Sequence, residues 1–419
     1  MRKLEVYIEI KGEQHLVGFI LGENYQDAVF QYDTDYMDSE IGVPISISLQ
    51  FQREPFSSEQ TMCFFESLLP EGFSRRAVAN WIRTDERDYL SILASLGKEC
   101  LGAIRIIEID EHIESHYEKL SDAQVRELAA EGATKSTQML MQTHLSLAGA
   151  SGKVGLYYDD KGGWYLPSGN APSTHIVKQS HVRLNQIVLN EQMCMLAARN
   201  CGIEVPDSFI INIGKGKDED VLYATRRYDR EINVNKKIDG LLVPLRLHQE
   251  DFAQAMGIAS ENKYERVKSG YLAKMFELIR RHTTDPIREQ QHFLERIVFN
   301  YLVGNTDCHI KNHALVYSND LKSIELSPAY DIVSTRVYKT SPEMSFYVGD
   351  EIDIERISRN SFVNASSEIG IGSRMVENIY DGIANIFEKS IKEASEILES
   401  KGFRESKELC KKILAEAPL

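Results

Sequence analysis

The 419-residue sequence predicts an α+β fold of two unlike parts, a strand-rich N-terminal subdomain and a mainly helical C-terminal part. Three observations carry this. Met1 to Ile10 alternates apolar and polar residues like a strand, and Lys11-Gly12-Glu13 follows as a hairpin signal. Phe293, Leu294, Ile297, Val298, Tyr301 and Leu302 recur with helical spacing, closed by Gly304, and Met375 to Leu414 repeats that spacing. Hydrophobic content of 42% and charged content of 26% are those of an ordinary globular protein, and the length calls for two or three subdomains.

The elements follow in order. Residues 1–107 alternate strands and turns and contain helical segments between about Ser58 and Thr84, broken at Pro70-Glu71-Gly72. Residues 108–143 are acidic and are expected to form a helical connector, with a capping box at Ser121-Asp122-Ala123-Gln124. Residues 144–246 are rich in strand signals. Val154 to Tyr158, the turn Asp159 to Gly163 and Trp164-Tyr165 predict a hairpin; Thr174 to Lys178 is a short strand, followed by a helix from about Leu184 to Asn200 with Gly202 as its C-cap. Residues 247–419 are mainly helical, interrupted by a loop and a hairpin whose strands, His313 to Tyr317 and Ile324 to Leu326, flank Ser318-Asn319-Asp320. Arg280, Arg281 and His282 suit a helix C-terminus, where positive charge meets the negative end of the dipole.

Composition excludes several functions. A net charge of -15 opposes broad attraction to nucleic acid or anionic membrane, which needs clustered Lys and Arg. The N-terminus lacks a signal-peptide core, and no apolar run approaches the roughly 18 residues of a membrane span, so a cytoplasmic location is expected. The six cysteines, scattered without a Cys-x-x-Cys pair, are expected to be reduced core thiols.

The chemistry concentrates in Gly304-Asn305-Thr306-Asp307-Cys308-His309-Ile310-Lys311-Asn312. An Asp five positions before an Asn suits phosphoryl transfer: the carboxylate takes the proton of a substrate hydroxyl, and the amide oxygen ligates the Mg²⁺ that neutralises ATP phosphates. Ordinary turns also use Asp and Asn, and the spacing alone leaves that reading open. The downstream hairpin would carry Ser327-Pro328-Ala329-Tyr330-Asp331 back towards Asn312, offering Asp331 as a second Mg²⁺ carboxylate or, equally, as a turn residue. Upstream, Ser146 to Lys153 forms a loop of small residues that lets backbone N–H groups approach phosphates. It is not a Walker A motif, since position 147 is Leu and position 154 is Val. Lys178 on its strand and Glu191 on the next helix fit the ion pair that positions nucleotide phosphates in kinases.

These residues resemble the HipA-type serine/threonine kinases, the toxin half of bacterial toxin–antitoxin pairs. The resemblance extends to Phe64 to Gly72, Leu96 to Ala103, Ser146 to Lys153, Thr174 to Lys178, Arg227-Tyr228-Asp229-Arg230, Gln249-Glu250-Asp251, Gly304 to Asn312 and Pro328 to Asp331. It implies a protein-kinase-like two-lobed fold, with residues 144–246 as the nucleotide-binding lobe and 247–419 as the helical lobe. It implies Asp307 as the proton acceptor, Asn312 and Asp331 as Mg²⁺ ligands, and Lys178 on the phosphates with Glu191 as its ion-pair partner. Ala148, Gly149, Ala150, Ser151, Gly152 and Lys153 would form the phosphate loop, and Arg226, Arg227 and Tyr228 the adenine hinge. His309, Lys311 and Tyr330 would also meet ATP, and Ser146 would be a self-phosphorylation site.

The sequence departs from the family pattern at three places. Ser151 stands where Gln is usual in the phosphate loop and Gly152 follows it, Arg226 stands where an acid is frequent, and Ile332-Val333 follows Asp331 without the glycine of eukaryotic kinases. The activity implied is ATP-dependent phosphorylation of a cytoplasmic protein and of the chain itself. Two alternatives stay open: a small-molecule kinase, or an inactive binding module acting with a DNA-binding antitoxin. The partner implied is a small helix-turn-helix antitoxin through which alone DNA would be reached, because no helix-turn-helix is evident here.

Overall fold

The computed structural model describes residues 2–108, 114–131, 133–143, 152–180, 184–232 and 235–418. They divide into two compact units: Met1–His181, Ile211–Ser260 and Val316–Ser323 form one, and Val182–Ile210, Glu261–Leu315 and Ile324–Leu419 the other.

In the first unit, the predicted hairpin forms with Lys11 and Gly12 as its two-residue turn. Both have positive φ, +52° and +88°, the left-handed pair whose twist matches that of the flanking strands Arg2–Ile10 and Glu13–Gly22. Val29–Tyr32 and Ile104–Glu108 complete an antiparallel sheet. Leu4, Val6 and Ile8 are fully buried, as are Phe64, Phe65, Ile92 and Leu93 of the helices Ser58–Phe65 and Tyr89–Leu96. The helical run does break where predicted: Leu69 is extended, and a new helix, Gly72–Ile82, begins after Pro70.

Five strands of a six-stranded sheet run antiparallel in the order His116–Lys119, Trp164–Ser168, Lys153–Tyr158, His175–Gln179, Val221–Arg226. Its hairpin turn is built by Asp159, whose Oδ1 accepts from the N–H groups of Lys161 and Gly163. The connector departs from expectation. Helices Asp122–Glu131 and Ala133–Thr143 are present, and Ser121 and Gln124 form the capping box, but His116–Lys119 is a strand. Tertiary pairing overrides local propensity there: the strand joins Tyr165 to Ser168 and buries Tyr117 against Tyr157 and Ala171.

A buried ionic cluster ties elements of this unit together. Arg227 and Arg230 both bind Glu99 and Asp229, while Arg246 binds Glu99 and Glu9, all six side chains being 7% exposed or less. Three cations face three carboxylates, so the burial of each charge is offset by a partner. Desolvation opposes ionisation of Glu99, yet the three arginines hold its carboxyl down at about 2.

The second unit is mostly helical: Ile187–Asn200, Tyr271–His282, Pro286–Leu302, Ser373–Ser400 and Ser406–Glu416. The predicted stripe Phe293, Leu294, Ile297, Val298, Tyr301 and Leu302 is core, each at most 1% exposed. Arg280, Arg281 and His282 do form the last turn of their helix, with both arginines paired to Glu277. All six cysteines are free and buried. Among the described residues no helix is long and apolar enough to cross a membrane.

Candidate active site

In the second unit, helix Pro286–Leu302 stops at Gly304, whose φ of +70° turns the chain out; a Cβ there would meet Arg336 Cγ at 2.9 Å. The Gly304 carbonyl accepts from the Thr335 N–H (3.1 Å) and hydroxyl (3.0 Å), and the Thr306 N–H donates to that hydroxyl (2.9 Å). Asn305 Oδ1 accepts the Asp307 N–H at 3.1 Å, and Asn312 Nδ2 donates to the Asp307 carbonyl at 2.8 Å. Asn305, Thr306, Cys308, His309, Ile310 and Lys311 are buried, whereas Asp307 is exposed. A single carboxylate is thus presented on an otherwise buried and internally bonded loop.

Asn312 spends its amide N–H on the loop, which turns its Oδ1 into the remaining acceptor. The Tyr330 hydroxyl donates to the Lys311 carbonyl at 3.0 Å, fixing the segment of Asp331 beside that of Asn312. Asp331 adopts φ +58°, a left-handed conformation that Asp tolerates better than most residues. The charge of Asp331 is felt by His309, but burial and the cations Lys263 and Lys311 dominate and push the His309 imidazole well below its usual range, so it is neutral. Its Nδ1 is buried with no hydrogen-bond partner among the described residues.

Glu191 is buried on helix Ile187–Asn200. Its neighbour Asn190 clamps that helix to the chain three residues beyond Asp331: Asn190 Oδ1 accepts the Ser334 N–H at 3.0 Å while Nδ2 donates to the Ser334 carbonyl at 3.0 Å. Asn190 escaped sequence reasoning: Asn190-Glu191-Gln192 reads as an ordinary polar run, and only the structure shows all three buried in one helix.

In the first unit, Lys153 and Lys178 lie directly opposite each other on paired strands, and Tyr223 is opposite Lys178 on the next. Directly opposed residues share a face, so the two ammonium groups and the phenol ring form one row, with Lys178 Nζ 5.7 Å from the Tyr223 ring centroid. Gly152 precedes the row. Ser146, Ala148, Gly149, Ala150 and Ser151 lie outside the described residues. Arg226 is exposed, and strand alternation places it on the face opposite Lys178. The Arg227 guanidinium belongs to the ionic cluster and its N–H donates to the Thr174 carbonyl, while the Tyr228 hydroxyl donates to Gln249.

The donor chemistry of the second unit fits Mg²⁺: Asn312 Oδ1 and Asp331 are hard oxygen donors on adjoining segments, beside an orphaned imidazole nitrogen. Among the described residues no group of three or more His, Cys, Asp or Glu side chains gathers as a metal site.

Comparison with known proteins gives this arrangement a family. The HipA N-terminal domain profile matches residues 8–107, and the HipA-like C-terminal domain profile matches residues 145–391. Y4mE of Sinorhizobium fredii (strain NBRC 101917 / NGR234) is 30% identical over 397 residues, covering 91% of each chain. The serine/threonine-protein kinase toxin HipA of Shewanella oneidensis is 26% identical over 366 residues, 81% of this chain and 79% of that one. The structure of the Shewanella oneidensis MR-1 toxin–antitoxin complex of HipA, HipB and operator DNA superposes with a TM-score of 0.79 at 22% identity, over 99% of this chain and 96% of that chain, and so shares its fold. With family profiles covering both its N-terminal and its central and C-terminal residues, the chain belongs to the HipA family.

Proposed function

We propose that the chain is an ATP-dependent serine/threonine protein kinase of two kinase-like lobes, the toxin of a toxin–antitoxin pair that phosphorylates a cytoplasmic protein and itself. The observation that carries this is the exposed Asp307 carboxylate on a loop whose neighbours are buried and bonded to one another. Such rigidity is what a proton acceptor needs, because a loosely held carboxylate loses the alignment on which transfer depends.

Asp307 orients the acceptor hydroxyl and takes its proton as the bond to the γ-phosphorus forms. Lys153, Lys178 and Gly152 hold the phosphates of ATP. Asn312 and Asp331 hold Mg²⁺, which when bound neutralises charge on the phosphates. Neutral His309 keeps a nitrogen available to the nucleotide, while Lys311 and Tyr330 brace the loop against the Asp331 segment. The segment Arg226 to Tyr228 meets the adenine edge through its backbone groups, since the Arg226 side chain lies on the face opposite Lys178 and the Tyr228 hydroxyl is bonded to Gln249. Among relatives, the name of the Shewanella HipA and its capture with HipB and operator DNA support a helix-turn-helix antitoxin as partner, with DNA reached through it.

Incubation with γ-labelled ATP and cell extract tests the reading. Wild type is expected to label protein and Asp307→Ala to label none while still binding ATP; labelling of small molecules alone would overturn protein kinase activity. Mass spectrometry of the same reaction tests self-phosphorylation at Ser146. A phosphoryl group there, carrying about -1.5 to -2 charges, would compete with ATP phosphates and switch the enzyme off. Ser151 in the same loop is the rival site; phosphate on neither serine, or normal ATP binding by Ser146→Asp, refutes that switch.

A further inference from the structure

Tyr264 belongs to no motif, yet its phenolic O–H donates to Oδ1 of Asp307. The segment that carries it is firmly held. Glu265, 2% exposed, accepts the N–H of Tyr271 (3.1 Å) and of Tyr347 (3.0 Å), and its own N–H donates to the Ser345 carbonyl (2.8 Å). The Ser345 hydroxyl in turn donates to the carbonyl of Thr306, the residue before Asp307 (2.8 Å). The Tyr264 ring also meets the His309 ring edge-on, 5.2 Å between centroids at 85°. The phenol is therefore held from two sides onto one oxygen of the carboxylate, while Tyr264 remains 37% and Val267 79% exposed.

A hydroxyl hydrogen-bonded to that oxygen is where an acceptor must stand. Water in the same place would be activated as well as a serine: its oxygen would bond to the γ-phosphorus, the bond from phosphorus to the bridging oxygen would break, ADP would leave, and the water proton would pass to Asp307. An enzyme waiting for a protein substrate wastes ATP unless that position is filled.

Resting on the kinase reading above, we propose that Tyr264 is an acceptor-side gate, its phenol holding the position on Asp307 that a substrate serine or threonine hydroxyl takes, excluding water until the substrate displaces it. Two things follow: substrate entry breaks a hydrogen bond, and loss of the phenol opens the carboxylate to water.

The test is Tyr264→Phe, which keeps the ring against His309 and removes only the hydroxyl. Mg-ATP hydrolysis without protein acceptor is expected to rise about fivefold or more, with calorimetric affinity for a non-hydrolysable ATP analogue unchanged and the rise abolished in Tyr264→Phe/Asp307→Ala. Hydrolysis that stays level or falls while the analogue binds normally overturns the gate, and so does phosphate found on Tyr264, which would make it an acceptor. If wild type neither binds the analogue nor transfers phosphate, the kinase reading itself fails and the gate with it, a result visible without any variant.

Discussion

At the scale of single residues, the site sets backbone conformation against chemistry most plainly at Asp331. Its φ of +58° is tolerated by Asp and Asn through local hydrogen bonding, whereas most L-residues are strained there by about 1–2 kcal/mol. Asp331→Asn is therefore expected to keep wild-type thermal stability and lose Mg-ATP affinity and phosphoryl transfer, because an amide cannot match the carboxylate on a divalent ion. Asp331→Ala is expected to lose stability as well, so melting curves of the two variants separate strain from ligation; equal melting of both would deny the strain. Lys178 poses a simpler question. Removing an ammonium that makes charge-assisted contacts costs about 1.5–3 kcal/mol, roughly tenfold to a hundredfold in affinity. Calorimetry of Lys178→Ala with a non-hydrolysable ATP analogue checks this, and unchanged affinity would place Lys178 away from the phosphates.

At the scale of elements, the clamp between helix Ile187–Asn200 and the chain after Asp331 is the decisive connection. Asn190 pairs with both the N–H and the carbonyl of Ser334, imitating a backbone ladder across a side chain. Asn190→Ala leaves both groups buried without partners, at about 1–3 kcal/mol for each. The variant is expected to unfold at markedly lower denaturant and, where folded, to lose phosphoryl transfer because Glu191 and Asp331 lose their shared reference. An unchanged midpoint would show that water or neighbours replace the amide. Eukaryotic kinases place glycine after the metal-binding Asp, whereas here Ile332 is 1% exposed and Ser334 is pinned, so this segment is built to stay in place.

At the scale of the whole molecule, buried titratable groups set how stability responds to pH. Glu250 is fully buried and accepts from the hydroxyls of Ser46 and Tyr317 and the N–H of Ile47, yet desolvation outweighs these donors and raises its carboxyl from 4.5 to about 7. The folded state holds that proton more tightly than the unfolded chain does, so the stabilisation is complete below pH 4.5 and is lost as pH rises through about 7. Its size is at most on the order of 3 kcal/mol. His248 acts in the opposite sense: burial lowers it from 6.5 to about 4, and stability drains as pH falls below 6.5. His309 and His313, also depressed by burial, act in the same sense as His248, and all three still bind protons in the unfolded chain near pH 6.5, so Glu250 is isolated by the difference between wild type and Glu250→Gln. From about pH 5.5 to 8 the denaturant midpoint of wild type is expected to fall relative to that of Glu250→Gln as pH rises; parallel pH profiles would show that Glu250 has the same protonation in both states.

What the sequence determined by itself is what neighbours along the chain decide. The Lys11-Gly12 turn, the stop of the apolar helix at Gly304, the hairpin around Asp159 and the basic end of helix Tyr271–His282 all rest on contacts a few residues apart, so composition and spacing reveal them. For the same reason the Asp307 to Asn312 loop was legible as a candidate, since Asn312 bonds back to the Asp307 carbonyl within five residues. The small residues of Ser146 to Lys153 suggested a phosphate loop by themselves, whereas the adenine hinge came from family resemblance alone, because an Arg-Arg-Tyr triplet fits many local structures. Tertiary structure alone decided the rest. Arg227 meets Glu99 across 128 positions, Asn190 meets Ser334 across 144, and Tyr264 reaches Asp307 across 43. His116–Lys119 became a strand only because Trp164–Ser168 was there to pair with it. Such partners leave no periodic mark on the sequence: an arginine bound for a buried cluster and one bound for solvent have the same neighbours until the chain brings the opposite charge within reach.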